Sequence, residues 1–255
     1  MKNIDLHTHT TFSDGSFSPQ KIVDLAIKQK IRAFAITDHN SILGVEKAIK
    51  YARGKNIEVI PGIEIECSEN SINIKKIHII GLFIDYTNQN LISFSLKYRN
   101  PRFSCLLRII KIFLRRRFFG NLLAKLKITF IKKPKIKNNL QITLNQAISI
   151  IKSAGGIAFL AHPGMIDERR LKDLLIKFIS YGGDGIETDY PYYKVFRIDK
   201  LKSDNYNKKM KIIASKKRLL ASGGSDFHGY GRNTPLGECG VDEKYLEKLK
   251  KIKSK

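Results

Sequence analysis

The chain contains no tryptophan and only three cysteines among its 255 residues. Cys67, Cys105 and Cys239 are odd in number, far apart and in no CxxC pair, which argues against a disulfide framework and predicts a reducing, cytoplasmic location. No apolar run reaches the roughly 18 residues of a membrane span. Because residues 1–7 contain no apolar stretch typical of a secretory leader, we expect none to be cleaved.

Acidic residues are absent from 86–166, a stretch that holds fifteen lysines and arginines. This stretch therefore supplies +15 of the formal net charge of +24. A block of one sign favours an anionic partner, such as nucleic acid, acidic lipid or a phosphorylated substrate. The alternative is a lysine-rich compositional bias with solvated side chains, and the charge by itself leaves both interpretations open.

Short β-rich runs alternate with amphipathic helical stretches along the chain. The runs are Asn3–Leu6, Ala33–Thr37, Glu58–Ile63, Ile77–Phe83, Ile157–Ala161, Gly185–Glu187 and Leu219–Ser222. The predicted helices are Ser18–Gln29, Val45–Ala52, Leu144–Ser153 and Leu171–Ile179. This alternation predicts an α/β fold whose strands are parallel and joined by right-handed crossovers. The length and the 42% hydrophobic content suit one barrel-sized domain over 1–255.

The segment 97–141 does not follow the alternation. It lies between the fourth and fifth predicted strands and holds most of the basic residues. Arg108, Lys111 and Arg115 recur at roughly helical spacing among Leu, Ile and Phe, which predicts a basic amphipathic helix broken near Gly120. We interpret the segment as a basic helical insertion or lid, and 97–137 as a possible contact for RNA or single-stranded nucleic acid.

The six histidines lie in short motifs, several of which also hold carboxylates. The motifs are DLHTHTTFSDG, ITDHN, KKIHIIGLF, LAHPG and GSDFHG, and nearly all of them follow a predicted strand. The carboxyl ends of barrel strands converge on one face, so these side chains are expected to meet there. Imidazole and carboxylate are ligands of Zn, Mn and Fe. The sequence therefore predicts a multinuclear metal site.

In the order DLHTHTTFSDGSFSP, AITDHNSI, PGIEIE, HIIGLF, LAHPG, GIE and GSDFHG, these motifs resemble the PHP (polymerase and histidinol phosphatase) superfamily. The resemblance covers residues 1–86 and 142–240, roughly, and leaves out the basic insertion. It implies a distorted (βα)7 TIM-like barrel with a trinuclear site. Within the superfamily, the chain is most similar to stand-alone members related to nucleoside 3′,5′-bisphosphate phosphatases and 5′-3′ exoribonucleases.

The resemblance also implies three divalent ions per chain (Mn, Zn or Fe), held in three ligand sets. The first set is His7, His9, Glu64 and Asp226; the second is Glu64, His78 and His162; the third is Asp14, His39 and His228. The residues expected to act in catalysis are His7, His9, Glu64, Asp226 and His228. Asp38 is expected either to orient an imidazole or to cap a turn.

These residues predict a hydrolase that attacks a phosphate ester with metal-activated water, without a covalent phosphoenzyme. The expected substrates are nucleotides or 5′-phosphorylated RNA. One alternative is a small phosphomonoester of the histidinol-phosphate or sugar-phosphate type. Another is an RNA- or anionic-membrane-binding protein with structural metals. An oligomeric state is not indicated.

Four residues are predicted to contact the substrate: Arg169, Arg170, Tyr190 and Tyr193. Similar chains carry an arginine directly after HPG, where this one has Met165, so Arg169 or Arg170 is expected to replace it. Tyr190 and Tyr193 could stack a base, since aromatic platforms suit nucleotides. The alternative is that tyrosines beside Pro191 only pack their own loop.

Overall fold

The computed structural model describes residues 3–98 and 141–253, which form one sheet of seven strands in the order of the chain. The strands are β1 Ile4–Thr8, β2 Ala33–Ile36, β3 Glu58–Glu69, β4 Ile74–Leu82, β5 Ile157–Leu160, β6 Gly185–Asp189 and β7 Leu220–Gly223. The helices are α1 Pro19–Lys28, α2 Val45–Ala52, α3 Gln89–Tyr98, α4 Leu144–Ser153, α5 Glu168–Ser180, α6 Tyr192–Val195, α7 Lys200–Lys217 and α8 Glu243–Lys253. The predicted α/β class with seven strands is confirmed.

The expectation that all strands are parallel is wrong for the middle of the sheet. Strand β4 runs antiparallel to both β3 and β5, whereas the pairs β1–β2, β2–β3, β5–β6 and β6–β7 are parallel. The reason is that β3 continues to Glu69 and is followed by one 3₁₀ turn, Asn70–Ile72. A connection this short joins antiparallel neighbours, because a parallel crossover needs a dozen residues or more.

The two ends of the sheet approach each other. Thr8 at the end of β1 forms a parallel bridge with Phe227, just beyond β7, and the His9 amide donates to the Phe227 carbonyl at 2.9 Å. Ile4 bridges to Val241 on the same side. These contacts are compatible with the predicted barrel and bring the first and last ligand motifs together.

Local signals in the sequence account for the helix ends. Ser18 caps α1 by accepting the Lys21 amide, and Pro19 occupies the first turn, where its missing N–H costs nothing. Helix α4 begins with a reciprocal capping box between Thr143 and Gln146. These two helices therefore begin at or within one residue of the positions that their capping signals indicate.

The apolar core has two layers. The outer layer lies between the sheet and the helices and includes Val23, Ile63 and Phe178. The inner layer is enclosed by the sheet and contains Ile4, Leu6, Ala33, Ala35, Ile60, Ile80, Leu82, Ile157, Phe159, Ala161, Val241, Leu246 and Leu249. The last two residues belong to α8, so the final helix closes the end of the sheet opposite the ligand motifs.

The predicted insertion 97–141 lies, apart from Lys97, Tyr98 and Gln141, outside the described residues. Lys97 and Tyr98 are the last residues of α3. Within 3–98 and 141–253, no helix is long and apolar enough to cross a membrane.

Candidate metal centre

Four donor atoms of the first predicted ligand set face one another. His7 Nε2 lies 3.1 Å from His9 Nε2, 3.4 Å from Glu64 Oε2 and 3.6 Å from Asp226 Oδ1. His9 Nε2 lies 3.3 Å from Glu64 Oε2 and 3.2 Å from Asp226 Oδ1. Donors about 2.1 Å from a tetrahedral ion are about 3.4 Å apart, so these spacings match a first coordination shell.

The second set surrounds the other oxygen of Glu64. Glu64 Oε1 lies 2.8 Å from His78 Nδ1 and 3.3 Å from His162 Nε2, and the two nitrogen atoms are 3.2 Å apart. Three donors converge here, from β3, from β4 and from the segment that follows β5. The carboxylate of Glu64 thus has one oxygen in each of the first two sets.

The third set is looser and has an additional member. Asp14 Oδ1 lies 2.9 Å from His228 Nε2 and 3.8 Å from His39 Nε2. His9 Nδ1 also lies 3.5 Å from Asp14 Oδ1, so His9 has one ring nitrogen in the first set and the other in the third. His39 Nδ1 lies 3.1 Å from Glu64 Oε2, which places this ring between the sets. All nine predicted ligands therefore form one cluster.

The environment of Glu64 Oε2 fits a cation. This buried oxygen has no hydrogen-bond partner, although imidazole nitrogens of His7, His9 and His39 lie within 3.1–3.4 Å of it. Buried carboxylate oxygen without a donor is costly unless a positive charge neutralises it. A nitrogen-and-oxygen donor set of this kind suits Zn, Mn or Fe, so the residues fit divalent metal ions.

Burial and neighbouring charges shift the pKa values of His9 and His78 in one direction and that of His39 in the other. Burial lowers the pKa of His9 and of His78, but neighbouring carboxylates outweigh it and raise each pKa to about 9. Burial lowers the pKa of His39 to about 3. Burial raises the pKa of Glu64, yet the imidazoles around it hold that pKa well below its usual range. Without metal, protons on His9 and His78 therefore balance the buried carboxylates, and metal ions would replace those protons.

Glu187, at the centre of β6, orients two of the ligands. Its Oε1 accepts a hydrogen bond from His7 Nδ1 at 3.1 Å, and its Oε2 accepts the backbone amide of His162 at 2.8 Å. The first bond leaves His7 Nε2 free to face the cluster. Glu187 lies at the end of a predicted strand, in the motif GIE, but no role was predicted for it from the sequence.

Asp38 organises the loop after β1. Oδ1 accepts from the Thr10 amide at 2.7 Å and from Ser13 Oγ at 2.6 Å, and Oδ2 accepts from Thr10 Oγ1 at 2.6 Å. Ser13 Oγ in turn lies 3.4 Å from His9 Nδ1. Of the two expected roles, the contacts therefore match the first, since Asp38 supports the His9 imidazole through Ser13.

Two of the predicted ligands have left-handed backbone conformations, His162 with φ 31° and Asp226 with φ 51°. Non-glycine residues adopt this region at a cost, which the surrounding contacts must offset. The Glu187 bond to the His162 amide is one such contact. Asp5 provides another next to Asp226, because its carboxylate accepts from the Ser225 amide at 2.9 Å and from the Gly237 amide at 2.8 Å.

A cleft of about 230 Å³ opens onto the cluster. Besides the donors His39, Glu64, His78, His162 and Asp226, it is lined by Lys76, Tyr190, Val195, Phe196 and Arg232. The Arg232 guanidinium contacts Asp226 Oδ2, and the Lys76 amine lies 3.8 Å from Glu66. The cleft thus combines two cations with an apolar side. Arg232 was not among the predicted site residues, although it lies only four residues beyond His228.

The four predicted substrate-contacting residues are separated in the structure. Arg169 and Arg170, in the first turn of α5, line a different depression, and Arg170 pairs with Asp167 at 3.4 Å. Tyr193 lies on the other side of α6 and contacts Glu238. Tyr190 does line the cleft, but it is 1% exposed and donates its hydroxyl to Asp226 Oδ2 at 2.6 Å. The cationic side chains that do line the cleft beside the cluster are those of Arg232 and Lys76.

Known proteins share this architecture. The chain is 29% identical to the 5′-3′ exoribonuclease Rnm of Escherichia coli, over 88% of this chain and 84% of the relative. It is 28% identical to the 3′,5′-nucleoside bisphosphate phosphatase of Chromobacterium violaceum, over 99% and 94%. A solved structure from Bifidobacterium adolescentis, assigned as a metal-dependent phosphoesterase, superposes with a TM-score of 0.69 at 21% identity, over 96% and 94%. The model of the PHP domain matches residues 5–215, and this chain belongs to that family.

Proposed function

We propose that the protein is a metal-dependent phosphoesterase that hydrolyses phosphate esters of nucleotides or 5′-phosphorylated RNA. The observation that carries this proposal is the division of one buried carboxylate between two donor sets: Glu64 Oε2 faces His7 and His9, and Glu64 Oε1 faces His78 and His162. With the third set around Asp14, the cluster has donors for three ions. Mn, Zn and Fe all suit these donors.

Bound metal ions would supply positive charge for the phosphate oxygens and a water molecule of lowered pKa as the nucleophile. The chain's own residues provide the rest of the site. Glu187 and Asp38 hold His7 and His9 in position, and Arg232 and Lys76 place positive charge along the cleft. These cations would attract and orient a phosphorylated substrate. No serine or cysteine nucleophile is required.

Three features favour a nucleotide over a small aliphatic ester. The two curated relatives named above act on nucleoside bisphosphates and RNA. The cleft carries an apolar side, Val195 and Phe196, opposite its cations. The sequence has a net charge of +24, which favours an anionic polymer as partner. We further propose that 97–137 guides RNA toward the cluster.

The test is phosphate release by protein reconstituted with Mn, Zn or Fe. The substrates are a nucleoside 3′,5′-bisphosphate, a 5′-phosphorylated RNA oligomer and histidinol phosphate, measured side by side. We expect turnover of one or both nucleotide substrates at a kcat/KM at least about tenfold above that for histidinol phosphate. Protein stripped by a chelator should be inactive and should recover when metal is restored.

A preference for histidinol phosphate would replace this proposal with the small-monoester alternative. RNA binding without hydrolysis of any ester, in fully metallated protein, would support the binding-protein alternative. Deleting 99–137 separates the role of the basic segment from that of the cluster: turnover of the oligomer should fall while turnover of the bisphosphate is retained.

A further inference from the structure

Three aromatic rings pack in a row beside the donor cluster, with Tyr192 in the middle. Tyr190 and Tyr192 have ring centroids 4.7 Å apart, and Phe196 lies 6.2 Å from Tyr192 with an angle of 23° between the ring planes. Tyr192 is buried, and its ring is held in place because its hydroxyl accepts a hydrogen bond from the Gly164 amide at 2.7 Å. Tyr190 is fixed by its bond to Asp226. The two inner rings are therefore held in place.

Phe196 is the outer ring and is 44% exposed. Its position is nevertheless defined, because its amide donates to the Tyr192 carbonyl at 2.8 Å and its ring packs on Tyr192. One exposed apolar side chain needs no explanation by itself. This one, however, lines the cleft together with Val195, and the same cleft is bounded by Arg232 and by the metal donors.

We propose that Phe196 and Val195 form a nucleobase-binding subsite, in which the base of the substrate stacks on the exposed part of the Phe196 ring. The inference rests on the proposed function for its substrate, and it adds which residues recognise the base. It replaces the earlier expectation for Tyr190 and Tyr193, since Tyr190 is buried and Tyr193 lines a depression on the other side of α6.

The chemistry of the cleft matches the two ends of a nucleotide. A phosphate group carries charge and suits the end near Arg232 and the metal donors. A nucleobase is planar and apolar on its faces, and it gains by stacking on an aromatic ring. Phe196 offers no polar atom, so the subsite would accept purines and pyrimidines without reading their edges. A purine, with its larger face, is expected to bind more tightly.

The first test compares substrates with and without a base. Phe196→Leu removes the ring but keeps an apolar side chain. It should raise KM for adenosine 3′,5′-bisphosphate by about 5- to 100-fold, as expected for loss of one stacked base. Values of kcat/KM for ribose 5-phosphate should change less than about twofold. Tyr193→Leu removes a ring from the same short helix outside the cleft and should leave both values near those of the unmodified protein.

The second test uses the lack of tryptophan in this sequence. Phe196→Trp places a single indole at the edge of the cleft, and Tyr193→Trp places one on the other side of α6. Adding adenosine 3′,5′-bisphosphate to metal-loaded Phe196→Trp should quench its fluorescence, because a stacked base lies against the indole. The Tyr193→Trp protein should show no such change, and ribose 5-phosphate should quench neither.

The two tests distinguish failure of the subsite from failure of the proposed function. Quenching at position 196 without hydrolysis of any ester would retain the subsite and reject the esterase. Hydrolysis of the bisphosphate, with no quenching and no change of KM in Phe196→Leu, would reject the subsite and retain the esterase. An equal loss for adenosine 3′,5′-bisphosphate and ribose 5-phosphate would also overturn the subsite, because it would show that Phe196 only supports the fold.

Discussion

The cluster receives its donors from two kinds of backbone, and the difference is instructive. Glu64 and His78 lie inside long antiparallel strands, β3 and β4, where ladder hydrogen bonds fix the chain on both sides. Asp14, His39, His162, Asp226 and His228 instead lie in segments that follow strands. The sheet fixes the backbone of the strand-borne donors, whereas the backbone of the loop-borne donors has to be held in place by other residues.

Buried carboxylates position those loops. Asp38 holds the segment after β1, Asp5 holds the segment after β7, and Glu187 holds His162 after β5. None of the three was among the predicted ligands. Burial raises the pKa of Asp5 to about 6, against the lowering effect of its hydrogen bonds to Ser225 and Gly237. The donors that lie in loops thus need a further set of buried carboxylates to hold their backbone in place.

The largest expected effect comes from the strand-borne carboxylate. Glu64→Gln removes charge shared by two donor sets, while the β3–β4 ladder should keep the fold intact. We expect turnover to fall by about 10²–10³-fold. Metal content measured by mass spectrometry should fall by more than one ion per chain. A fully metallated, active variant would contradict the shared-ligand assignment.

A smaller loss is expected from the support of a loop. Asp38→Asn keeps the shape of the side chain but weakens the bonds to Thr10 and Ser13. We expect metal affinity, measured by competition with a chelator, to fall about 10- to 100-fold. An unchanged metal affinity would show that the loop-borne donors do not depend on Asp38. The difference drawn between strand-borne and loop-borne donors would then be wrong.

A packing change just beyond β7 tests how closely the segment that carries Asp226 and His228 must pack on β1, without altering charge. A Cβ added at Gly224 would overlap with the Cβ and backbone amide of His7. Gly224→Ala should therefore cost about 1–3 kcal/mol of unfolding free energy. Denaturant unfolding of the metal-free protein measures this cost. Gly182→Ala would not serve as a control, because Gly182 has φ 89° and a Cβ there would strain the backbone by itself.

The smallest effect is expected two residues from Glu64 on the same strand. Glu66 is half-exposed, and its Oε2 lies 3.5 Å from His78 Nε2, on the ring edge away from Glu64. The His78 hydrogen bond and the Lys76 charge lower the pKa of Glu66. Glu66→Gln should reduce turnover by less than about threefold, which makes it the matched control for Glu64→Gln. A loss as large as that of Glu64→Gln would mean that His78 depends on outside support.

Much of this molecule was predictable from local patterns. Helices α2 and α4 have the predicted bounds because their apolar periodicity is regular and α4 carries a capping box. The nine donors converge because their motifs recur beside strands of one sheet. Helix α7 was missed because two of its four buried residues, Ser203 and Asn207, are polar and interrupt the apolar periodicity.

Other features depend on tertiary contacts that no local pattern encodes. The third predicted strand ends at Ile63, yet β3 continues to Glu69, where Ile65 and Cys67 are buried and Glu66 faces outward. Arg169 follows a ligand motif closely but belongs to a helix that leads away from the cleft. Arg232 and Phe196 reach the cleft only because the segments after β6 and β7 meet beside it.

Helix α8 has a consequence for the order of events during synthesis. Its Leu246 and Leu249 fill the inner core beside Ile4 and Leu6, so residues near the two ends of the described chain enclose one interior. Loop closure over such a distance is slow and cannot occur before the later residues leave the ribosome. The inner core beside β1 is therefore incomplete until α8 has been made. The predicted donors of β1 and those that follow β7 can meet only after residue 228 has been made.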